Sequence, residues 1–128
     1  MTTTTSPGHR AAARLSMFAE IERLDVVAWA SHLAPDAVLR IGNGDPVHGR
    51  EACRATLLAL LAGIDGVRHD VVDQWKHGDA TIVEANATFT RSDGREVTLP
   101  LVTIYRVDAS DLISDYRVYA DLAPAFEL

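Results

Sequence analysis

Residues 81–91 read Thr81-Ile82-Val83-Glu84-Ala85-Asn86-Ala87-Thr88-Phe89-Thr90-Arg91, and this stretch decides the fold. Val83, Ala85, Ala87 and Phe89 make one row; Glu84, Asn86, Thr88 and Thr90 make the other. A period of two marks a strand with one face buried and the other wet. Ala85 and Ala87 are too small to fill the space between a curved sheet and its cover. Either bulky neighbours such as Trp29, Phe18 and Phe89 fill it, or a cavity remains there.

The same grammar extends on both sides. His69 to Lys76 reads as a strand closed by His77-Gly78-Asp79. Ser92-Asp93-Gly94 turns the chain into a strand over Val97 to Val107, and Asp108-Ala109-Ser110-Asp111 leads to the last, Leu112 to Ala120. Four strands joined by turn signals predict a meander of hairpins. On the helix-facing side fall Val97, Leu99, Leu101, Thr103 and Tyr105, then Tyr116, Val118 and Ala120. Gln74 points inward if the alternation holds. The opposite row of the third strand begins with Glu96 and Thr98 and turns apolar at Val102 and Ile104. A strand apolar on both faces needs a second cover, and a homodimer packed through the sheet supplies one. Trp75, Asp115, Arg117 and Tyr119 share that outer face and read as dimer contacts or surface pairs; a one-residue slip turns them inward with Asp73. Pro100 marks an edge or a bulge.

The first half is mostly helical. Leu15, Phe18 and Ile21 form one stripe of a helix from Arg10 to Leu24. Asp25 caps a second helix, in which Val26, Trp29, Ala30 and Leu33 recur at helical spacing until Pro35-Asp36. Ala37 to Ile41 reads as a short strand, Gly42 to Pro46 as a turn, and Arg50 to Ala62 as a third helix stopped by Gly63. Three helices before a mostly antiparallel sheet define an α+β fold. Residues 1–9 read as a disordered tail and 10–128 as one domain.

Composition narrows the function. The chain has 128 residues, of which 48% are apolar, with 12 basic against 18 acidic side chains and a net charge of −6. That balance repels phosphate backbones and anionic lipid, so neither nucleic acid nor membrane is expected as a partner. A single cysteine, Cys53, points to a reducing, cytoplasmic setting. The five histidines are scattered without metal-ligand spacing, so neither metal nor cofactor is expected.

Several local strings sharpen this reading: Ala34 to Asn43, His48-Gly49-Arg50-Glu51-Ala52, Arg68-His69-Asp70 with Trp75, Gly94 to Pro100, and Ile113 to Leu122. Together they resemble SnoaL-like proteins of the nuclear-transport-factor-2-like superfamily over about residues 12–126. The resemblance implies a cone-shaped fold whose curved sheet and three N-terminal helices enclose a pocket for a small, mostly apolar organic molecule. It also implies which chemistries are absent. The ketosteroid isomerase base falls at Ile41 beside Arg40, its acidic donor near Thr103 and its helix-one tyrosine near Met17. The Asp–Arg–Asp set of epoxide hydrolases falls near Ala87, Ala85 and Val118. The aspartate of SnoaL-type aldol cyclases matches Asp121 in placement.

The expected catalytic set is therefore Asp121 as base with Tyr116 or Tyr105 as oxygen donor. The expected pocket lining is Trp29, Leu39, Ile41, Asn43, Gln74, Ala85, Ala87, Phe89, Leu99, Leu101, Thr103 and Val118. The activity expected is cofactor-independent acid–base chemistry, cyclase or isomerase in type, on a polyketide-like or steroid-like carbonyl compound. The alternative is a non-catalytic small-molecule-binding or dimerisation module of the same fold.

Overall fold

The computed structural model describes residues 17–126. The tail expected over residues 1–9 and the helix start at Arg10 lie outside them. Residues 17–22 are helical (α1), and α2 follows at Val26–Ala30. The chain then forms β1 (Leu33–Ile41), β2 (Val47–His48) and α3 (Arg50–Leu61). Four long strands come next: β3 (Ile64–His77), β4 (Ala80–Arg91), β5 (Glu96–Val107) and β6 (Ile113–Tyr119), followed by α4 (Ala123–Phe126).

The strands form one curved, unclosed sheet in the order β2-β1-β6-β5-β4-β3. β3 to β6 are the expected meander, each pair antiparallel. Gly78 and Gly94, with φ of 60° and 88°, supply the left-handed residues of its first two turns. β1 joins β6 in parallel, which strand alternation alone does not reveal. The helices cover the inner face, so the fold is α+β as expected.

Three local expectations are corrected. The second helix ends at Ala30 rather than Leu33, because Leu33 pairs with Ile113 and belongs to β1. Pro35-Asp36 lies within that strand, where the register shifts between Leu33 and Val38, and a bulge tolerates the missing proline N–H. The strand expected from His69 to Lys76 is β3 and begins at Ile64, and α4 is an addition. Asp25 does cap α2, accepting the Ala28 N–H at 3.1 Å. Pro100 pairs with Asn86, while β6 meets β5 only from Val102, so one flank of β5 has no described partner at the proline.

The core sits between the inner sheet row and the helices. Val83, Ala85, Ala87 and Phe89 are buried there with Leu99, Leu101, Tyr105 and Tyr116. α3 contributes Cys53, Leu57 and Leu61, one stripe at four-residue spacing. Trp29 of α2 is wholly buried at the centre. No helix among the described residues is long and apolar enough to cross a membrane.

Candidate functional site

Between the inner sheet face and the helices lies a chamber of about 60 Å³. A wider, more open cleft of about 610 Å³ adjoins it, and the two share Ile41, Leu60, Leu122 and Phe126 as common walls. The chamber has room for a few waters or a small organic fragment.

The inner wall is apolar, and its polar groups are few. Tyr116, Thr103 and Trp29 form one pole, on β6, β5 and α2. Burial pushes the Tyr116 phenol far above its ordinary range. The Trp29 indole and Thr103 hydroxyl pull it back slightly, while Tyr105 adds to the rise. The phenol therefore stays protonated and is a neutral hydrogen-bond donor. The Trp29 Nε1–H lies near that hydroxyl, yet no described acceptor completes a hydrogen bond with it. A buried donor without an acceptor is costly unless something else supplies one.

The other polar group is His69, on β3 opposite Ala87. Its side chain is 7% exposed, and its ring packs on that of Phe18 with centroids 4.8 Å apart. Glu22 reaches it from α1. The carboxylate Oε2 accepts the His69 backbone N–H at 2.6 Å and lies 3.0 Å from Nδ1. Phe18 and Glu22 are four residues apart, so both project from one face of α1 onto the imidazole. Burial lowers the His69 pKa below its usual 6.5, and the Glu22 carboxylate offsets part of that fall.

The structure distributes the expected site residues over three places. Trp29, Leu39, Ile41, Phe89, Leu101, Thr103, Tyr116 and Val118 line the chamber. Asn43 and Asp121 line the outer cleft, where Asp121 is exposed and its Oδ1 accepts the Ala123 N–H at 3.3 Å. Tyr105 is buried behind Tyr116, ring on ring with centroids 6.2 Å apart. Ala85, Ala87 and Leu99 are buried in the sheet outside both linings. Gln74 also lies outside them, its Oε1 buried with no described partner. Asp121 and Tyr116 thus stand in adjoining spaces rather than in one. Among the described residues no three His, Cys, Asp or Glu side chains gather as metal ligands.

His69 and Glu22 escape sequence reasoning for a definite cause. Counting back from an inward Gln74 by strict alternation puts His69 on the outer face. The register shifts between Val71 and Asp73, and the extra residue turns His69 inward. The available signal was the row Val67, His69, Val71, read as a separate segment.

The fold has counterparts. A protein of the nuclear-transport-factor-2-like kind from Burkholderia pseudomallei, of unknown function, shares 17% identity at a TM-score of 0.84, covering 95% of this chain and 100% of its own. A protein from Jannaschia described as a SnoaL-like polyketide cyclase shares 20% at 0.80, covering 98% and 97%. A protein of ketosteroid isomerase-like fold from Catenulispora acidiphila, in complex with trimethylamine, shares 17% at 0.79, covering 94% and 91%. At such identities the likeness is one of fold. No curated protein matches the chain. The SnoaL-like domain model matches residues 15–116, four-fifths of the sequence. The chain belongs to the SnoaL-like domain family.

Proposed function

We propose that this protein is a cofactor-independent acid–base enzyme, of cyclase or isomerase type, acting on a small and mostly apolar carbonyl compound. The observation that carries the reading is the polar pole of an otherwise apolar chamber. A protonated phenol and an unpartnered indole N–H lie side by side there. Such donors hold a carbonyl oxygen and stabilise it more strongly as negative charge develops. The chamber's size favours a compact ring over a whole steroid, with the remainder of any larger substrate lying in the outer cleft.

The test uses 2-cyclohexen-1-one with the full chain. Binding is followed by amide chemical shifts, and exchange of the ketone's acidic hydrogens in heavy water by proton NMR. Saturable binding with exchange above the buffer rate supports the enzyme. Binding without exchange favours the second reading, a small-molecule receptor, and absence of binding removes both. The receptor reading draws on one observation: Asp121, the carboxylate expected as base, is exposed at the outer cleft and accepts the Ala123 N–H at the start of α4.

The same proposal includes a homodimer formed through the outer sheet face. Trp75 and Tyr119 are each 48% exposed, and Ile82 lies opposite Trp75 and Ile104. Val102 pairs with Tyr119 on the same face. An uncovered apolar surface of this kind is the mark of a partner. Sedimentation at micromolar concentration checks it, and a monomer sinks it. A cytoplasmic location belongs to the proposal as well, supported by the free and buried Cys53; recovery in a membrane or secreted fraction overturns it.

A further inference from the structure

We infer that His69, held by Glu22, is the proton-transferring base of the chamber. The inference rests on the reading of the chamber as a carbonyl site and names its missing partner. The bond pattern settles the tautomer. Glu22 Oε2 already accepts the His69 backbone N–H, and a carboxylate only accepts. The 3.0 Å contact is therefore a hydrogen bond donated by Nδ1–H. In a neutral imidazole this leaves the lone pair on Nε2.

Nε2 is placed for use. No described residue hydrogen-bonds it, and the ring lines the chamber. Two bonds to one carboxylate oxygen and the Phe18 ring fix the imidazole plane. The surroundings keep the ring neutral: its contacts are Phe18 and Ala87, and the α3 residues lining the chamber are Leu57, Leu60 and Leu61. Among the described residues Glu22 from α1 is the charged group facing it, and Tyr116 from β6 is the other titratable group in the lining. When Nε2 takes a proton, the Glu22 carboxylate stabilises the imidazolium through the existing bond. This is the arrangement of a base whose orientation is set by a carboxylate, within an apolar wall.

The step balances without a co-reactant. Nε2 takes a proton from the carbon beside the ligand's carbonyl. The C–H pair becomes the enolate double bond, and the carbonyl pair moves onto oxygen between the Tyr116 O–H and the Trp29 N–H. In a β,γ-unsaturated ketone the Nε2–H then returns the proton to the γ carbon, leaving the α,β-unsaturated isomer and a neutral imidazole. In a ketone without that double bond the proton returns to the α carbon, which is seen as hydrogen exchange. Glu22 is a positioning residue.

The experiment compares wild type, His69→Asn and Glu22→Gln, with 2-cyclohexen-1-one as probe. Asn keeps a donor near the Nδ1 place and removes the base. Three quantities are read: ketone affinity, hydrogen exchange into heavy water, and nitrogen-15 shifts of the imidazole. Expected are an Nδ1–H tautomer in the wild type, affinity within about threefold in His69→Asn, and exchange lower by about 10² or more. The wild-type exchange rate rises with pH at a midpoint below 6.5, coincident with the imidazole titration. In Glu22→Gln that midpoint moves lower, because the carboxylate that favours the imidazolium is gone. Exchange surviving in His69→Asn, or an Nε2–H tautomer, overturns the inference. A wild type that binds the ketone without exchange overturns it too, while leaving the carbonyl site intact. Absence of ketone binding in the wild type overturns both.

Discussion

The Trp29 indole stands edge-on to the Tyr116 ring, with centroids 5.4 Å apart and planes at 86°. This edge-to-face contact fixes the relation between α2 and β6. It also brings the two donors of the chamber's polar pole together, one of them without an acceptor. Stability and the proposed ligand binding meet at this pair, so replacing the indole affects the two differently.

Trp29→Phe keeps a ring and removes the N–H. Lost burial costs stability, while removal of an unpartnered donor returns about 1–3 kcal/mol. The net change is expected within about 1.5 kcal/mol, whereas Trp29→Ala costs about 3–5 kcal/mol through its cavity. Affinity for a small ketone falls about tenfold in Trp29→Phe, the worth of one hydrogen bond to the carbonyl. Urea denaturation and ligand titration of the same samples check both statements.

Tyr116 predicts alkaline instability. Its folded pKa is raised, so the folded state holds the phenolic proton after the unfolded chain has released it. The stability it contributes is present below the ordinary value of 10 and is lost as pH rises above it. The slope is about 1.4 kcal/mol per pH unit. Denaturation midpoints of wild type and Tyr116→Phe converge with increasing pH in that range; parallel curves reject the assignment.

His69 has the opposite dependence. Burial lowers its folded pKa, with Glu22 partly offsetting, so the unfolded chain binds the proton more readily. The contribution is present above 6.5 and is lost as pH falls through the depressed folded value. Wild type therefore loses more stability than His69→Asn on acidification from about pH 7 to about pH 5. Thermal melts across that interval provide the comparison.

Ala87 sits between His69 on β3 and Leu99 on β5, at matched positions of the inner face. Its small side chain leaves room for the imidazole. Ala87→Leu overpacks a position with no exposure, at a cost of about 1–3 kcal/mol. It also displaces the ring from Glu22, visible as a change in the His69 nitrogen shifts.

On the outer face, Ile104 lies between Ile82 and Arg117. Ile104→Asp is expected to leave the far-UV spectrum intact and to convert the proposed dimer to monomer in sedimentation. Unchanged assembly removes this face from the interface.

Much of the architecture was legible in the chain. Alternation through Val83, Ala85, Ala87 and Phe89 chose the buried row correctly, because a strand's period of two is local and the core rewards only one register. The stripe of Cys53, Leu57 and Leu61 placed α3 for the same reason at a different period. Turn chemistry at Gly78 and Gly94 set the hairpins through left-handed backbone that glycine enters without strain. The small inner-row residues Ala85 and Ala87 left open whether that space is filled or hollow, and both lie buried outside the chamber lining. Thr103 and Tyr116, which the same parity put on the inner face, border the chamber, and Trp29 reaches it from α2.

What the sequence by itself determined are these short-range matters: periods, turns, caps and the apolar character of the inner face. Tertiary structure alone decided which distant groups meet. It set Glu22 against His69, 47 residues away, through a strand bulge that reversed the imidazole's direction. It also left Asp121 at the outer cleft, bonded to the first N–H of α4. The physical reason is that a hydrogen bond across the fold leaves no periodic trace in either segment, and one inserted residue inverts every side chain beyond it.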